Sequence, residues 1–214
     1  MIDRRTAMMM GAALAAFGLG SATGAAAQTV TTTADDMTLG SPRAPVTLIE
    51  FASASCPHCA HFHETVFGQL KANYIDTGKV YFIFREMLTN PGEVALAGFQ
   101  MARCNNATPD QYFSRLGEFF AGQQAMFAAG TMQAVLDALL RVGANGGLTH
   151  DQVMTCINDQ QAVQRVERFN QSASQFNVTG TPTLILNGQK LEDPAALTYE
   201  GLSHILDQAI AAHH

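Results

Sequence analysis

The chain of 214 residues has little of what a membrane-spanning or nucleic-acid-binding protein needs. Its one long apolar stretch, from about Ala7 to Leu19, is too short for a comfortable membrane span, and no later segment is a candidate. Basic residues are few, 12 against 18 acidic ones, and they form no cluster, which argues against nucleic acid as a partner. Internal repeats are also missing, as are low-complexity tracts after Ala27. The part of the chain from Gln28 onward is long enough for one domain with a substantial core.

The segment 1–27 has the pattern of a signal peptide for export. Arg4 and Arg5 form a basic start, the apolar stretch follows, and the small residues Ala25, Ala26 and Ala27 offer a cleavage site. The paired arginines also suit twin-arginine export, and an uncleaved N-terminal anchor is the alternative to cleavage. We therefore expect an exported, periplasmic protein. Without the signal, whose charged residues are one acidic and two basic, it has 10 basic and 17 acidic residues and a net charge of −7.

All four cysteines lie in the exported part, and an even count in an oxidising compartment favours disulfides. Two of them form the motif Cys56-Pro57-His58-Cys59, between a strand-like run at 46–51 and a run with helical spacing. Pro57 suits the first position of a helix, so the motif predicts Cys56 at the helix N-terminus. Free N–H groups and the helix dipole stabilise a Cys56 thiolate there, and a protonated His58 adds to the effect. The motif indicates a redox dithiol, although half of a zinc site has the same spacing.

A second motif, Gly180-Thr181-Pro182-Thr183, precedes a predicted strand and a turn at Asn187-Gly188. Taken with Cys-Pro-His-Cys, the chain resembles the DsbA-like thiol–disulfide oxidoreductases of the thioredoxin superfamily. The resemblance covers most of the mature chain and rests also on the lead-in at 39–46, on Glu50 six residues before Cys56, and on Phe84-Arg85-Glu86. It implies that the Thr181–Pro182 bond is cis and that its loop lies against the Cys-x-x-Cys helix, whereas an ordinary turn proline is trans.

The resemblance implies an α/β thioredoxin-like fold with a helical insertion domain. The core is expected in two parts, residues 28–90 and 177–214, with the insertion at 91–176 and a loose lead at 28–38. The first part of the core is expected to contain strands near 46–52 and 80–84, with a helix between them that reaches about Ile75. The second part is expected to contain strands near 183–187 and 189–191, followed by a helix from about Thr198 to Ala211. Apolar spacing predicts three helices in the insertion and then one long helix, which begins at a capping box, Thr149 to Gln152, and turns Val163 inward.

The resemblance also assigns roles in the site. Cys56 is the accessible nucleophile and Cys59 the buried thiol that resolves the mixed disulfide. Glu50, an acid in an apolar strand, accepts or relays the proton of Cys59, unless it occupies a solvated edge position. Substrate backbone binds beside Cys56, at Pro57, Thr181 and Pro182.

Thr181 stands where the best-known DsbA has valine. Threonine at this position is familiar in isomerase relatives, so the residue weakens the case for an oxidase.

Cys104 and Cys156 fall in predicted helices of the insertion. A bridge between them closes a loop of about 53 residues, worth roughly 4 kcal/mol in the chain-entropy model. Some DsbA-like proteins carry a second, non-catalytic disulfide in this domain, so we expect a structural disulfide. Two separate buried thiols and a regulatory pair are the alternatives.

The sequence thus predicts a monomeric periplasmic oxidoreductase without a cofactor. It passes its Cys56–Cys59 disulfide to reduced, unfolded exported polypeptides, and a membrane partner resembling DsbB reoxidises it. A disulfide reductase or isomerase is the first alternative, but the few residues before the lead-in leave no room for the dimerisation domain of isomerase relatives. A copper-handling protein that uses Cys56, Cys59 and His63 is the second. We expect no metal site, and we expect His61 and His63 to be surface or groove residues.

Overall fold

The computed structural model describes residues 30–213. The predicted signal peptide therefore lies outside the described residues. Between residues 30 and 213 there are five strands: β1 Met37–Leu39, β2 Val46–Ala52, β3 Val80–Glu86, β4 Thr183–Leu186 and β5 Gln189–Lys190. They form one sheet in the order β1-β3-β2-β4-β5, in which β2 and β3 are parallel and the other pairs are antiparallel. The strand before the Cys-x-x-Cys motif is therefore at the centre of the sheet.

Among the residues that the structure describes, seven helices surround this sheet. Helix α1 covers residues 57–75 and changes geometry along its length, from α at Pro57–Phe62 to π at His63–Phe67, α at Gly68–Leu70 and π at Lys71–Ile75. The others are α2 Gly92–Arg103, α3 Pro109–Ala129, α4 Met132–Asn145, α5 His150–Ile157, α6 Gln161–Gln175 and α7 Tyr199–Ala211, with a short 3₁₀ helix at Pro194–Leu197 before the last. Helices α2–α6 thus lie between β3 and β4, where the sequence predicts helices.

The two faces of the sheet belong to different hydrophobic clusters. Leu48 and Ala52 of β2 pack into the large cluster that also includes α1, α2–α5 and α7. Ile49 and Phe51 point the other way, into a smaller cluster with Ala173 at the end of α6. Because side chains alternate along a strand, Glu50 shares the face of Leu48 and Ala52, towards α1. The sheet therefore directs this acid into the larger core.

The segment before β2, which we predicted to be a loose lead, makes specific contacts with the rest of the fold. Met37–Leu39 pairs with β3, and the Asp36 carboxylate accepts hydrogen bonds from the buried Arg85 side chain, the shorter at 2.9 Å. Arg168 of α6 pairs with Asp35 at 2.6 Å. The prediction was wrong from Asp35 onward, because aspartate is depleted in strands and the partners that hold Asp35 and Asp36 lie far along the chain, where local sequence cannot reveal them.

The single long helix predicted from Thr149 is also wrong. The capping box is present, with Thr149 and Gln152 bonded reciprocally, but α5 ends at Ile157 and a new helix begins at Gln161. At the break the Asp159 side chain accepts the backbone N–H of Gln161 at 2.9 Å. The buried side of α6 is set by Ala162, Val166, Phe169 and Ala173, so Val163 points outward and is 54% exposed.

A buried ion network holds the helices of the insertion to the sheet. Glu86, at the end of β3, is fully buried and accepts hydrogen bonds from Arg103 of α2 (2.5 Å) and Arg165 of α6 (3.0 Å). The hydroxyl of Tyr112 in α3 donates to it at 3.0 Å. One carboxylate therefore contacts three helices, and its charge is compensated by two guanidinium groups.

Candidate active site

Cys56 lies at the N-terminus of α1, as its motif predicts. It is the N-cap residue in extended conformation (φ −85°, ψ 122°), and Pro57 begins the helix. The structure differs from expectation in exposure, because Cys56 is only 6% exposed, whereas Pro57 and His58 are exposed. Part of the cover comes from Thr181, whose carbonyl oxygen accepts the Cys56 thiol proton at 3.3 Å. A partner must therefore approach this sulfur along a narrow direction.

The surroundings of Cys56 favour its thiolate. A hydrogen bond from the Cys59 side chain, the side chain of Thr181 and the backbone N–H groups of Cys59 and His58 together lower the pKa of Cys56 to about 5, against the opposing effect of burial. Two of these donors are the free N–H groups that a helix start provides. Near neutral pH this sulfur is therefore ionised and nucleophilic.

Cys59 has the opposite character. It is fully buried one helical turn on, and the backbone N–H of Ser53 lies 3.5 Å from its sulfur. Burial, the Cys56 side chain and the negative charge of Glu50 raise the pKa of Cys59 far above its ordinary value. Both cysteines are free thiols in the structure. The pair thus combines one ionised sulfur with one that keeps its proton.

The loop before β4 lies against Cys56. The Thr181–Pro182 peptide bond is cis, and the Thr181 hydroxyl oxygen is buried without a conventional hydrogen-bond partner among the described residues. The hydroxyl is nevertheless close enough to the Cys56 sulfur to favour the thiolate and lower the Cys56 pKa. Pro57, the third predicted substrate-binding residue, is the first residue of α1 and is exposed.

Glu50 is fully buried rather than on an edge, and its partner is a histidine. His63 Nε2 lies 3.2 and 3.0 Å from the two carboxylate oxygens of Glu50, and the His63 side chain is only 4% exposed. Our expectation of a surface or groove position for His63 is therefore wrong, although His61 is exposed. The contact with Glu50 holds the His63 ring in the core, among Phe67 and Phe120.

Gln123 of α3 is a site residue that sequence reasoning missed. It is buried, and its amide donates to the backbone carbonyls of Ala54 (2.9 Å) and Cys56 (3.4 Å). The N–H of Ala60 donates to the same Cys56 carbonyl at 3.1 Å. The only available signal was a glutamine in register with the buried Leu116 and Phe120 of its helix. Through Gln123, the insertion holds the backbone that carries the nucleophile.

Cys104 and Cys156 form a disulfide in the structure, with Cα atoms 5.5 Å apart. Cys104 follows the last residue of α2 and Cys156 lies in the last turn of α5, so the bond joins two helices of the insertion. It is separate in the chain and in the fold from the Cys56–Cys59 pair. The disulfide therefore cross-links the helical region.

A sequence model of the thioredoxin family, described as Thioredoxin, matches residues 32–208. The chain belongs to the thioredoxin family. Two relatives are named as candidate protein-disulfide oxidoreductases. That of Rickettsia prowazekii is 29% identical over 177 residues, 82% of this chain and 62% of the relative. That of Rickettsia conorii is 32% identical over 157 residues, 72% of this chain and 54% of the relative. The chain therefore spans less than two thirds of the length of either relative.

A solved structure shows the same fold. The crystal structure of Wolbachia pipientis alpha-DsbA1 superposes with a TM-score of 0.72 at 24% identity, covering 85% of this chain and 94% of that one. The α/β thioredoxin-like fold predicted from the sequence is thus confirmed. Between residues 30 and 213, no helix is both long enough and apolar enough to cross a membrane. In the same range, no group of three or more His, Cys, Asp or Glu side chains is placed to hold a metal ion.

Proposed function

We propose that this thioredoxin-family chain is a periplasmic thiol–disulfide oxidoreductase of the DsbA type, which introduces disulfides into exported proteins. One observation carries the proposal: the Cys56 pKa is about 5, while that of its neighbour Cys59 is strongly raised. A stabilised Cys56 thiolate stabilises the reduced pair, so the Cys56–Cys59 disulfide is a good oxidant. The names of the Rickettsia relatives agree with this chemistry.

The exchange occurs in two steps. A substrate thiolate attacks Cys56 Sγ, the Cys56–Cys59 bond breaks, and Cys59 leaves and takes up one proton. A second substrate thiolate then attacks the substrate sulfur of the mixed disulfide, and Cys56 leaves as a thiolate. The substrate loses two electrons and two protons as its disulfide forms, and the enzyme gains both electrons and one proton. No cofactor takes part, because the electrons move between sulfur atoms.

The other predicted site residues serve these steps. Pro57, Thr181 and Pro182 surround the Cys56 sulfur and bind extended substrate backbone there. Reduced, unfolded exported polypeptides are the substrates, and a DsbB-like membrane oxidase restores the disulfide. His58 contributes through its backbone N–H, and its exposed side chain contacts the incoming partner.

The glutathione redox equilibrium tests the proposal. The protein lacking the segment 1–27, carrying Cys104→Ser and Cys156→Ser, leaves the active pair as the one dithiol to be measured. The oxidase function predicts an equilibrium far toward the Cys56–Cys59 dithiol, and Cys59→Ser is a matched control that can form only the mixed disulfide. A disulfide that resists reduction at ordinary glutathione ratios contradicts the oxidase function.

That second result favours a reductase or isomerase, the one alternative that a specific residue supports. Thr181 presents a hydroxyl to the Cys56 sulfur where the best-known DsbA has valine. Refolding of a scrambled disulfide substrate by the reduced protein distinguishes the two activities. A fast isomerisation with no net oxidation assigns the chain to the isomerase class.

A further inference from the structure

Three hydroxyl groups form a cluster beside the Cys56–Cys59 pair, and the mechanism described so far does not use them. Ser53 and Ser55 lie between β2 and α1 and are 0% and 2% exposed, whereas Thr89 follows β3 and is half-buried. The Thr89 hydroxyl donates to Ser53 Oγ at 2.9 Å and lies 2.9 Å from Ser55 Oγ. Ser55 Oγ also donates to the Thr89 carbonyl oxygen at 2.9 Å. The cluster therefore joins two segments that are 34 to 36 residues apart in the chain.

The sheet brings these hydroxyl groups together. Strands β2 and β3 are parallel, and Ala52 is level with Glu86 at their ends. The N–H of Met87 donates to the Ala52 carbonyl oxygen at 2.8 Å, so the pairing continues past the last paired residues. Because paired parallel strands run in the same direction, Ser53 and Thr89 leave the sheet side by side at the same edge.

Ser53 Oγ is the centre of the hydroxyl cluster. It accepts the backbone N–H groups of Thr89 at 3.1 Å and of Ser55 at 3.4 Å, in addition to the Thr89 hydroxyl. A buried donor is costly to leave without an acceptor, so these three donors hold the Ser53 oxygen in one place. The orientation of residue 53 is thereby fixed from a distant part of the chain.

The backbone of Ser53 contacts both cysteines of the active pair. Its carbonyl oxygen accepts the N–H of Cys56 at 3.1 Å, which closes the turn before α1. Its own N–H points to Cys59 Sγ, 3.5 Å away. Burial is the main cause that raises the pKa of Cys59, and this N–H acts against it. The orientation of Ser53 therefore bears directly on the sulfur that leaves when the disulfide opens.

We propose that Thr89 is a positioning residue: through Ser53 Oγ it holds the Ser53 N–H on the Cys59 sulfur, where negative charge develops during disulfide exchange. The inference rests on the proposed function. A thiolate attacks Cys56 Sγ, the Cys56–Cys59 bond breaks, and its electron pair remains on Cys59 until solvent supplies a proton. A donor that is already in place stabilises this charge without reorganisation. In the reverse direction, the same N–H stabilises the Cys59 thiolate that attacks the Cys56 sulfur of a mixed disulfide.

This arrangement affects rates more than the redox equilibrium. The charge on Cys59 exists while the disulfide opens or closes, whereas the reduced protein holds Cys59 as a neutral thiol, which is a weak acceptor. Stabilising the transition state accelerates opening and closure by the same factor. A residue that stabilises the Cys56 thiolate shifts the equilibrium instead. The two kinds of role are therefore distinguishable by experiment.

The test compares Thr89→Val, which keeps the shape of the side chain and loses the hydroxyl, with Thr89→Ser, which keeps the hydroxyl. The matched control is Thr77→Val, at an exposed position after the end of α1, where the lost hydroxyl donates to the Asn73 carbonyl oxygen at 2.8 Å. All variants are made in the protein lacking the segment 1–27. A loss of rate confined to Thr89→Val then belongs to the hydroxyl at position 89.

Opening is measured by mixing oxidised protein with dithiothreitol and following the ultraviolet absorbance of the Cys56 thiolate. The second thiol of dithiothreitol completes the reduction within the same complex, so the first attack sets the rate. The glutathione equilibrium of each variant is measured separately. Slower opening with an unchanged equilibrium means that closure is slowed by the same factor.

Thr89→Val is expected to slow opening by about tenfold, less than the roughly 100-fold effect of removing such a donor completely. Thr89→Ser is expected to restore most of the rate, and Thr77→Val to open as fast as wild type. The glutathione equilibrium and the Cys56 thiolate titration of Thr89→Val are expected to match wild type. If Thr89→Val does not fold, Ser55→Ala, which removes another bond to Thr89, takes its place with the same expected results.

Three outcomes overturn the inference. Wild-type opening in Thr89→Val shows that the cluster has no effect on the reaction. Equally slow opening in Thr89→Ser shows that the hydroxyl is not the cause. A shifted glutathione equilibrium in Thr89→Val shows that the residue acts on Cys56 instead of Cys59.

These outcomes are separable from failure of the proposed function. A wild-type disulfide that resists reduction by glutathione contradicts the oxidase. The ratio of opening rates with dithiothreitol is measured in either case, and it decides the role of Thr89 independently.

Discussion

The lowered pKa of Cys56 makes the stability of the reduced protein depend on pH in a way that the oxidised protein cannot share. The folded-state pKa is about 5 and the ordinary value is 9.0, so between these values the folded chain holds a thiolate and the unfolded chain a thiol. The unfolded state then binds more protons, and the free energy of unfolding rises with pH. This contribution is complete above pH 9 and is lost as the pH falls through about 5. The perturbation is therefore a change of pH, applied to both redox forms.

The size of this change in unfolding free energy follows from the pH range over which Cys56 is ionised only in the folded state. From pH 5 to pH 7, two pH units correspond to about 2.7 kcal/mol of unfolding free energy. Cys56 itself is 6% exposed, but Pro57 and His58 beside it are exposed, so nearby solvent screens part of the effect and reduces it to roughly 1–2 kcal/mol. Cys59 does not change how the unfolding free energy depends on pH in this range, because a raised folded-state pKa affects stability only above the ordinary thiol pKa.

Urea unfolding of both redox forms measures the effect, in a protein carrying Cys104→Ser and Cys156→Ser so that only the active pair differs. Carboxylates and histidines titrate in both forms and cancel in the difference. Between pH 5 and pH 7, the unfolding free energy of the reduced form is expected to rise by roughly 1–2 kcal/mol relative to that of the oxidised form. A difference that is flat, or that falls as the pH rises, would refute the assignment of a stabilised thiolate.

Three further predictions concern one contact beside the Cys56–Cys59 pair and two links that hold the helical region together. Gln123→Leu leaves two backbone carbonyls without their amide donor, and it is expected to lower the free energy of unfolding by about 1–3 kcal/mol and to shift the glutathione equilibrium; an unchanged equilibrium means that the contact is only structural. Replacing Cys104 and Cys156 by serine removes the link across 52 residues and is expected to cost about 4 kcal/mol in urea unfolding, and a loss below about 1 kcal/mol contradicts this. Glu86→Gln leaves two guanidinium groups with a neutral partner and is expected to lower the free energy of unfolding by about 3–5 kcal/mol. The control, Glu93→Gln at an exposed position, is expected to change it by almost nothing. Equal losses of unfolding free energy in the two variants, measured by thermal or urea unfolding, rule out the ion network as the cause.

Much of the fold could be predicted because local and global preferences agree. The apolar run at 46–52 is a central strand, and the break in periodicity at Pro57 marks the start of a helix. The strand predicted from Val80 to Phe84 is present and two residues longer. Five helices fill the region where the sequence has almost no strand signal. In each case the apolar side chains that define the pattern are also those that the core buries.

The contacts that orient the site could not be predicted from spacing. Phe62, Val66 and Leu70 recur every four residues and are buried, as the spacing of an ordinary α-helix predicts, but nothing in that spacing indicates the π geometry at His63–Phe67 or the contact of His63 with Glu50. An α-helix assumed from the sequence cannot reveal that insertion of backbone. Gln123 is polar and so resembles a surface residue until its two carbonyl acceptors are known. The sequence identifies the reacting sulfurs, whereas the groups that tune them depend on tertiary contacts.

The order of strands in the sheet has a consequence for synthesis. The central strand β2 pairs on one side with β3, which follows shortly in the chain, and on the other with β4, near its C-terminal end. Thr181 is 125 residues after Cys56, so the loop that covers the sulfur emerges from the ribosome long after it. For most of its passage the growing chain carries two uncovered thiols beside a half-built sheet. Until β4 and the loop before it have been made, Cys56 therefore lacks the Thr181 carbonyl that covers its sulfur in the folded protein.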